Sequence, residues 1–201
     1  DEGYAVLEYE YDDDKCTLER MKGTDDKPVV SKQYQCAGFR HSYEENEDER
    51  RETTWYLDLD GNPMIRPDLG VAGVCKRYDK LGRLVREDYY DISTGTESQP
   101  KPILHKEGGY AILENKYDES GNCVRTLYKD EEGRLTLRKD DGYAVVRNTF
   151  DDFGRRIRVS YYGTDFDIGA DDKQLTDANQ SALVFHAEYG CAEFRYGYDA
   201  V

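Results

Sequence analysis

Apolar and polar residues alternate along most of the chain with a period of two residues. In one clear example, Ala111, Leu113 and Tyr117 fall on one face of a predicted strand, and Glu114 and Lys116 fall on the other. Short turns that begin with Asp and end with Gly interrupt the alternation. Asp bonds its own downstream backbone and Gly accepts positive φ, so these turns favour antiparallel hairpins. The pattern predicts β-hairpins and almost no helix.

The predicted hairpins recur along the chain. An alanine followed six residues later by Tyr or Phe marks each copy, at intervals of roughly 30 to 50 residues, which is typical of arrayed modules. The pairs are Ala5/Tyr11, Ala37/Tyr43, Ala72/Tyr78, Ala111/Tyr117, Ala144/Phe150 and Ala192/Tyr198. We predict an all-β fold: an array of about six β-hairpin repeats that forms an elongated solenoid or a twisted single-layer sheet. Residues 1–201 form a single repeat domain in this interpretation, with units at about 3–33, 34–68, 69–106, 107–140, 141–187 and a truncated 188–201.

Three stretches depart from the pattern. Trp55–Pro63 is predicted to form a longer distal turn in the second unit, and Ser93–Pro102, which is polar and carries two prolines, is predicted to be an enlarged loop. Residues 168–187 are an insertion, predicted to be a short helix or a long loop before Leu183–Phe185 rejoins the sheet. We expect functional side chains to be concentrated in such departures, because the hairpins hold them in place.

Composition and charge limit the kinds of fold and the classes of partner that are compatible with the chain. Only 37% of residues are apolar while 35% are charged, and 18 tyrosines supply most of the aromatic surface, so we expect a thin fold with little aliphatic core. The net charge of −15 has no local Lys/Arg cluster to offset it, which argues against nucleic acid or an anionic membrane surface as a partner. No apolar run is long enough for direct membrane insertion. The chain starts on one unit and stops within another, so we expect it to be part of a larger protein.

The residues that commonly carry catalysis are dispersed. His41, His105 and His186 lie far apart in sequence, and no phosphate-binding loop, nucleophile elbow or metalloprotease helix is present. The five cysteines include no Cys-x-x-Cys pair, so a metal knuckle lacks support and most are expected to replace small apolar residues. An extracellular disulfide remains an open alternative. These observations predict a protein that is not an enzyme and has no cofactor.

Calcium is the one ion that the sequence favours. Asp58, Asp60 and Asn62 place oxygen ligands at alternate positions around a Gly turn, although the acidic twelfth ligand of an EF-hand is absent. We expect at most a weak structural calcium site there. Hairpin-turn chemistry explains Asp at these positions equally well.

The Tyr-Asp-x-x-Gly-Arg core of Tyr78–Leu84 resembles the tyrosine–aspartate (YD) repeats of Rhs-type bacterial surface and toxin-shell proteins. The resemblance covers nearly the whole chain and implies an exported β-hairpin array, extracellular or on the bacterial cell surface, without catalytic residues in the repeats. Trp55–Gly61 is also similar to the aromatic hairpins of choline- and glucan-binding cell-wall repeats. That second resemblance implies aromatic cages for quaternary ammonium groups or platforms for sugars.

These patterns together suggest a ligand-binding surface. The preferred candidates are aromatic residues on the second strand of each hairpin, called the second arm. We expect the Tyr and Phe of the first strand, or first arm, to pack as a spine. The second-arm candidates are Trp55, Tyr56, Tyr90, Tyr128 and Tyr162. The predicted function is a non-catalytic bacterial surface or secreted module that binds a cell-wall or host glycan, or another surface protein, through a tyrosine-rich acidic surface. A structural spacer or shell segment, and an accessory region of an enzyme whose active site lies elsewhere, are the alternatives.

Overall fold

The computed structural model describes residues 2–96, 99–169 and 177–198. The chain divides into two compact units, Asp1–Lys106 and Glu107–Val201. Their boundary coincides with the predicted boundary between the third and fourth hairpin units. The first unit is called the N-unit below and the second the C-unit.

The N-unit is an antiparallel sheet in which consecutive strands are neighbours. The order is β1-β2-β3-β4-β5-β6, and β7 pairs with β6. The strands are β1 (Val6–Asp12), β2 (Lys15–Lys22), β3 (Gly38–Glu45), β4 (Glu49–Leu57), β5 (Gly73–Asp79), β6 (Leu84–Thr96) and β7 (Gln99–Pro102).

The C-unit has the same up-and-down arrangement, with strand order β8-β9-β10-β11-β12. Its elements are β8 (Ile112–Tyr117), β9 (Cys123–Lys129), β10 (Val145–Phe150), β11 (Arg156–Tyr162), the short helix α1 (Asp177–Ser181) and β12 (Glu193–Arg195). The all-β class predicted from the alternation is therefore confirmed.

An aspartate at the start of most tight turns caps the backbone N–H groups of the turn. At the β5–β6 turn, Asp79 Oδ1 accepts the backbone N–H groups of Leu81 and Arg83 at 2.9 and 3.0 Å, and Gly82 has a φ of +74°. The carboxylate satisfies amides that the turn leaves without a strand partner. Four other aspartates accept the N–H of the residue four positions ahead: Asp58, Asp118, Asp130 and Asp151.

A second kind of turn returns the chain to each new hairpin. The N–H of Gly70 donates to the carbonyl of Arg66 at 2.7 Å, and Gly70 has a left-handed φ of +72°. The same contact joins Gln35 to Ser31, Gly142 to Arg138 and Gly190 to His186. These five-residue turns, called return turns below, fold back over one face of the sheet.

Two predicted loops are wrong. Ser93–Pro102 is not an enlarged loop, because β6 continues to Thr96 and pairs with β7, with Asp91 opposite Lys101. Proline is tolerated there because β7 lies off the main strand order. Trp55–Leu57 is the end of strand β4 and not part of a distal turn. Asn46 caps the true hairpin turn by accepting the N–H groups of Asp48 and Glu49.

The predicted insertion is partly helical. Helix α1 occupies Asp177–Ser181, and residues 170–176 lie outside the described part of the chain. Leu183 contacts the sheet as a single antiparallel bridge to Tyr162, and Val184 N–H bonds the carbonyl of Tyr161. The expected return of Leu183–Phe185 to the sheet is thus limited to these contacts.

Small hydrophobic clusters cover both faces of each sheet. In the N-unit, Tyr56 packs with Cys36 and Val71 on one face, while Trp55 packs with Leu57 and Ala72 on the other. In the C-unit, Tyr128 and Tyr161 belong to one cluster, and Leu127 and Tyr162 to the other. Adjacent strand residues point to opposite faces, so each strand contributes to two thin cores.

Candidate functional site

The aromatic residues predicted to bind ligand are mostly core residues. Trp55, Tyr56, Tyr128 and Tyr162 are 5%, 7%, 7% and 1% exposed, and Tyr90 is half-buried. The expectation that their faces are open is wrong. Return-turn arginines cover Tyr56 and Tyr128, whereas Trp55 packs against Leu57, Ala72 and Tyr90 on the other face. Tyr162 packs with Phe166 and Ala182. Alternation cannot show which face a following segment will cover. Their role in ligand binding stays a prediction.

The five residues also do not converge. Trp55 and Tyr90 stack with ring centres 6.0 Å apart on one face of the N-unit, whereas Tyr56 lies on the opposite face. The first-arm aromatics are more exposed than predicted for a packed spine. Tyr11 is 62% exposed, and Tyr43, Tyr78, Tyr117 and Phe150 are half-buried. The first-arm rings are therefore the more accessible set.

One groove of the N-unit combines aromatic rings with charged groups. It has a volume of about 360 Å³ and crosses strands β2 to β5 on the face that carries Tyr56. Its lining is Glu19, Tyr34, Phe39, His41, Glu52, Thr54, Tyr56, Arg66, Val74, Lys76 and Tyr78. We call this the aromatic groove. Tyr56 is the one predicted ligand residue that lines it.

Aromatic edges and faces form the groove walls. The rings of Phe39 and Tyr34 meet edge to face at 5.5 Å, and Phe39 meets Tyr56 in the same way at 5.9 Å. Arg66 lies over Tyr56, and Arg50 lies over Tyr78 with its guanidinium carbon 4.6 Å from the ring centre. The strands fix these side chains, so a ligand would meet a preformed surface.

Charged side chains of both signs line the groove, with Glu19 and Glu52 beside Arg66 and Lys76. Burial raises the pKa of Tyr78, and the Glu52 carboxylate beside it raises that pKa further. Burial also raises the pKa of Tyr56, although Arg66 opposes the shift. Both phenols therefore stay protonated at neutral pH, with Tyr78 hydrogen-bonded to Glu52 and Tyr56 hydrogen-bonded to Arg66. The groove thus presents phenols and charged groups in fixed positions within one aromatic surface.

Three metal-ligating side chains meet at one edge of the groove. Cys16 Sγ, a Glu19 carboxylate oxygen and a His41 ring nitrogen all lie within 4.8 Å of one another. His41 Nε2 is 3.2 Å from Glu19 Oε1, and His41 Nδ1 is 2.9 Å from Thr54 Oγ1. The sequence analysis missed this cluster because His41 is far from Cys16 along the chain. The pairing of β2 with β3 brings them together.

The predicted calcium ligands are used in a turn. Asp58 Oδ1 accepts the N–H groups of Asp60 and Asn62 at 2.9 and 2.8 Å, as the other turn aspartates do. Asp58 and Asp60 line a cleft of about 450 Å³ that also includes Glu8. Turn capping accounts for Asp58, and calcium binding at this position stays a prediction.

A larger cleft of about 730 Å³ lies in the C-unit between the distal ends of its two main hairpins. Tyr162 and Phe150 line it together with the turns at 118–122 and 151–154. Strands β9 and β10 pair only from Val145 to Arg147, so the hairpins separate beyond that point. The cleft is therefore a gap between hairpin ends and not an enclosed chamber.

His186 is a structural residue of the return turn beside the insertion. Its Nδ1 accepts the N–H of Glu188 at 3.2 Å, and its Nε2 lies 3.6 Å from Asp141 Oδ1. The ring is buried and lies 4.8 Å from the ring centre of Tyr161 and 4.4 Å from that of Tyr189. Turn and packing contacts account for its position.

No protein-family model matches the chain, and no curated protein is similar to it at a significant level. Within the described residues, no helix has the length and apolar character needed to cross a membrane.

Proposed function

We propose that this protein is a non-catalytic repeat module that binds a glycan of a cell wall or host surface through the aromatic groove. The observation that carries this proposal is the groove itself, where Tyr34, Phe39 and Tyr78 lie beside the carboxylates of Glu19 and Glu52. Aromatic surface with a few fixed polar groups is typical of ligand pockets. Carboxylates and phenols pair with sugar hydroxyls, and the rings pack against the apolar faces of a sugar.

The net charge of the chain favours a neutral or cationic ligand over an anionic one. Within the groove lining, Arg66 and Lys76 offset Glu19 and Glu52, so the preference comes from the net charge of −15 on the whole chain. An anionic polymer would be repelled at low and moderate ionic strength. Uncharged or amino-bearing glycans are therefore the preferred ligand class, and a surface protein of basic character is the second.

The proposal includes a repeat architecture and a cellular location for the protein. Turn aspartates and return turns occur with the same contacts in both units, which supports an array of about six related hairpins. The likeness to tyrosine–aspartate repeats supports a bacterial surface or secreted location. A repeat array would present grooves of similar shape with different linings, so binding would depend on residues that differ between hairpins.

The test is a titration of isotopically labelled protein with soluble peptidoglycan fragments, neutral and amino-bearing oligosaccharides, and choline. Trp55 is a poor fluorescence reporter because it is buried on the face opposite the groove. Amide and tyrosine NMR resonances of strands β2 to β5 should shift on binding. If no member of the panel shifts these resonances, the glycan proposal is wrong and a spacer role is favoured.

Two conservative variants give the titration a matched comparison. Tyr78→Phe removes one phenol from the groove, and Tyr117→Phe removes the phenol at the corresponding position of the C-unit. We expect Tyr78→Phe to weaken binding by about 2- to 10-fold, which is the effect of one lost hydrogen bond. Tyr117→Phe should bind like the unaltered protein. Equal affinities for the two variants would contradict binding in the groove.

A further inference from the structure

Cys16, Glu19 and His41 meet where two hairpins separate. Pairing between β2 and β3 runs from Arg20↔Gly38 to Leu18↔Arg40 and then stops. Cys16 lies just beyond that point, next to the irregularity in register between Glu10 and Tyr11. The space between the separating strands is where the three side chains converge.

The cluster has the composition of a zinc site. Thiolate, imidazole and carboxylate are the three ligand types that Zn²⁺ uses in proteins, with bond lengths of about 2.0 to 2.3 Å. Such bonds in a tetrahedron place ligand atoms roughly 3.3 to 3.6 Å apart. His41 Nε2 and Glu19 Oε1 are already 3.2 Å apart, and Cys16 Sγ lies within 4.8 Å of a His41 ring nitrogen and of a Glu19 carboxylate oxygen. To bind the same ion, Cys16 Sγ would leave the Leu18 carbonyl oxygen, which it now contacts at 3.5 Å.

The imidazole of His41 is held in the orientation that a ligand needs. Its Nδ1 faces Thr54 Oγ1 at 2.9 Å, on the residue directly opposite it in strand β4. In the metal-free chain Nε2–H can donate to Glu19 while Nδ1 accepts from the Thr54 hydroxyl. Metal binding would use the other tautomer, with the proton on Nδ1 donated to Thr54 and the Nε2 lone pair free for the ion. A hydrogen bond from the second ring nitrogen is the usual outer contact of a metal-bound histidine.

The C-unit contains the same backbone arrangement without the ligand set. Cys123 lies opposite Tyr117 at a register irregularity, as Cys16 lies opposite Tyr11. The residue three positions ahead is Thr126, where the N-unit has Glu19. The position of His41 is taken by Asn148, which donates to the Cys123 carbonyl at 3.0 Å. The fold alone therefore does not require Glu and His at these positions.

We propose that Cys16, Glu19 and His41 bind one Zn²⁺ ion, with water in the fourth position. On binding, the Cys16 thiol loses its proton to solvent, and the Nε2 lone pair of His41 and a Glu19 oxygen complete the protein ligands. Ca²⁺ does not suit this set, because it takes oxygen ligands only. The ion would join the β1–β2 and β3–β4 hairpins at their point of separation and would lie at the edge of the aromatic groove.

The test uses the full chain, stripped of metal with a chelator, and the metal ions alone as probes. Co²⁺ should give the near-ultraviolet charge-transfer absorption of a thiolate ligand, with a stoichiometry of one ion per chain. Excess Zn²⁺ should abolish this absorption by displacing the cobalt. Zn²⁺ should also raise the midpoint of thermal unfolding, since it binds the folded chain.

The comparison with the C-unit supplies the control variants. Cys16→Ser should abolish the charge-transfer absorption, whereas Cys123→Ser should retain it. The double variant Glu19→Thr with His41→Asn copies residues that the same backbone already carries and should bind Zn²⁺ at least tenfold more weakly. Thr54→Val should weaken binding by about 10- to 100-fold, because it removes the outer contact of the histidine.

Two results would overturn the proposal. The first is a thiolate–cobalt absorption that persists in Cys16→Ser. The second is equal Zn²⁺ affinity in the unaltered protein and the folded double variant. Neither result would bear on glycan binding, because the groove is tested separately with glycans and the Tyr78→Phe variant.

Discussion

The guanidinium carbon of Arg66 lies 4.7 Å from the ring centre of Tyr56. The same guanidinium binds the Asp68 carboxylate through Nε and Nη2 at 3.1 and 2.6 Å. In the C-unit, Arg138 lies over Tyr128 at 5.1 Å and pairs with Asp141 at 3.0 Å. Each arginine is the first residue of a return turn, so it fastens the turn to the sheet through the second-arm tyrosine.

We expect Arg66→Met to destabilise the N-unit by about 1 to 3 kcal/mol. The Arg66 side chain is only 12% exposed, so the substitution removes a largely desolvated cation–π contact and leaves Asp68 without its cation. Urea unfolding measures the change. Arg134→Met is the matched control, because Arg134 pairs with Asp130 while 71% exposed and should change stability very little. Equal effects of the two substitutions would contradict the anchoring role.

Gly73 of strand β5 permits a close approach to Thr54 and Trp55 of strand β4. A Cβ atom added at Gly73 would lie 2.6 Å from Trp55 Cε3 and 2.8 Å from the carbonyl oxygen of Thr54. We expect Gly73→Ala to lower the free energy of unfolding by about 1 to 3 kcal/mol and to change the near-ultraviolet signal of Trp55. Gly197→Ala should be neutral, because nothing lies within 4 Å of the added atom. An unchanged Trp55 signal in Gly73→Ala would show that the close approach is wrong.

The turn aspartates should make the free energy of unfolding depend on pH in the acid range. The side-chain amide of Asn122 and then backbone N–H groups of the turn hold the pKa of Asp118 below its ordinary value of 3.8. A carboxylate with a lowered native pKa adds stability above its unfolded pKa, and that stability is lost as pH falls through the native pKa. We therefore expect Asp118→Asn to cost most stability near neutral pH, with the difference from the unaltered protein shrinking below pH 3.8.

Chemical denaturation at a series of pH values measures this dependence. Glu119→Gln serves as the control, because it removes one negative charge from the same turn while its side chain is exposed. The stability of Glu119→Gln should follow that of the unaltered protein in the acid range. A difference between Asp118→Asn and the unaltered protein that does not vary with pH would rule out the carboxylate as the source.

The cysteines should fall into two classes of reactivity. Cys36 and Cys75 are buried, and burial raises the pKa of the Cys36 thiol, which lowers the fraction present as reactive thiolate. Cys16, Cys123 and Cys191 are half-buried, and burial followed by the Glu19 charge also raises the pKa of the Cys16 thiol. Accessibility therefore separates the two classes, and we expect a maleimide reagent to label the second class first in folded, metal-free protein, with mass spectrometry to locate the labels. Early labelling of Cys36 in folded protein would contradict its place in the core.

Hairpin formation could be read from local sequence. At Asp79–Arg83, the aspartate caps the turn amides and Gly82 takes positive φ, so the turn is specified by residues that are neighbours in the chain. Alternating residues on either side then fix the register within the hairpin. These local interactions explain why the all-β class was predicted correctly, while Ser93–Pro102 was not: its prolines are compatible with a strand that lies off the main strand order.

The candidate sites depended on contacts between hairpins. Alternation assigns Trp55 and Tyr56 to opposite faces, but it does not show that a return turn carrying Arg66 covers Tyr56. Likewise, nothing local links Cys16 and Glu19 to His41, because the register between β2 and β3 is set by packing between hairpins. The sequence by itself determined the Asp–Gly turns and which residues share a strand face, but not the turn of the second hairpin or the strand at Gln99–Pro102. Only the tertiary structure decided which faces are covered and which distant side chains meet, because both depend on long-range packing that the local residue pattern does not encode.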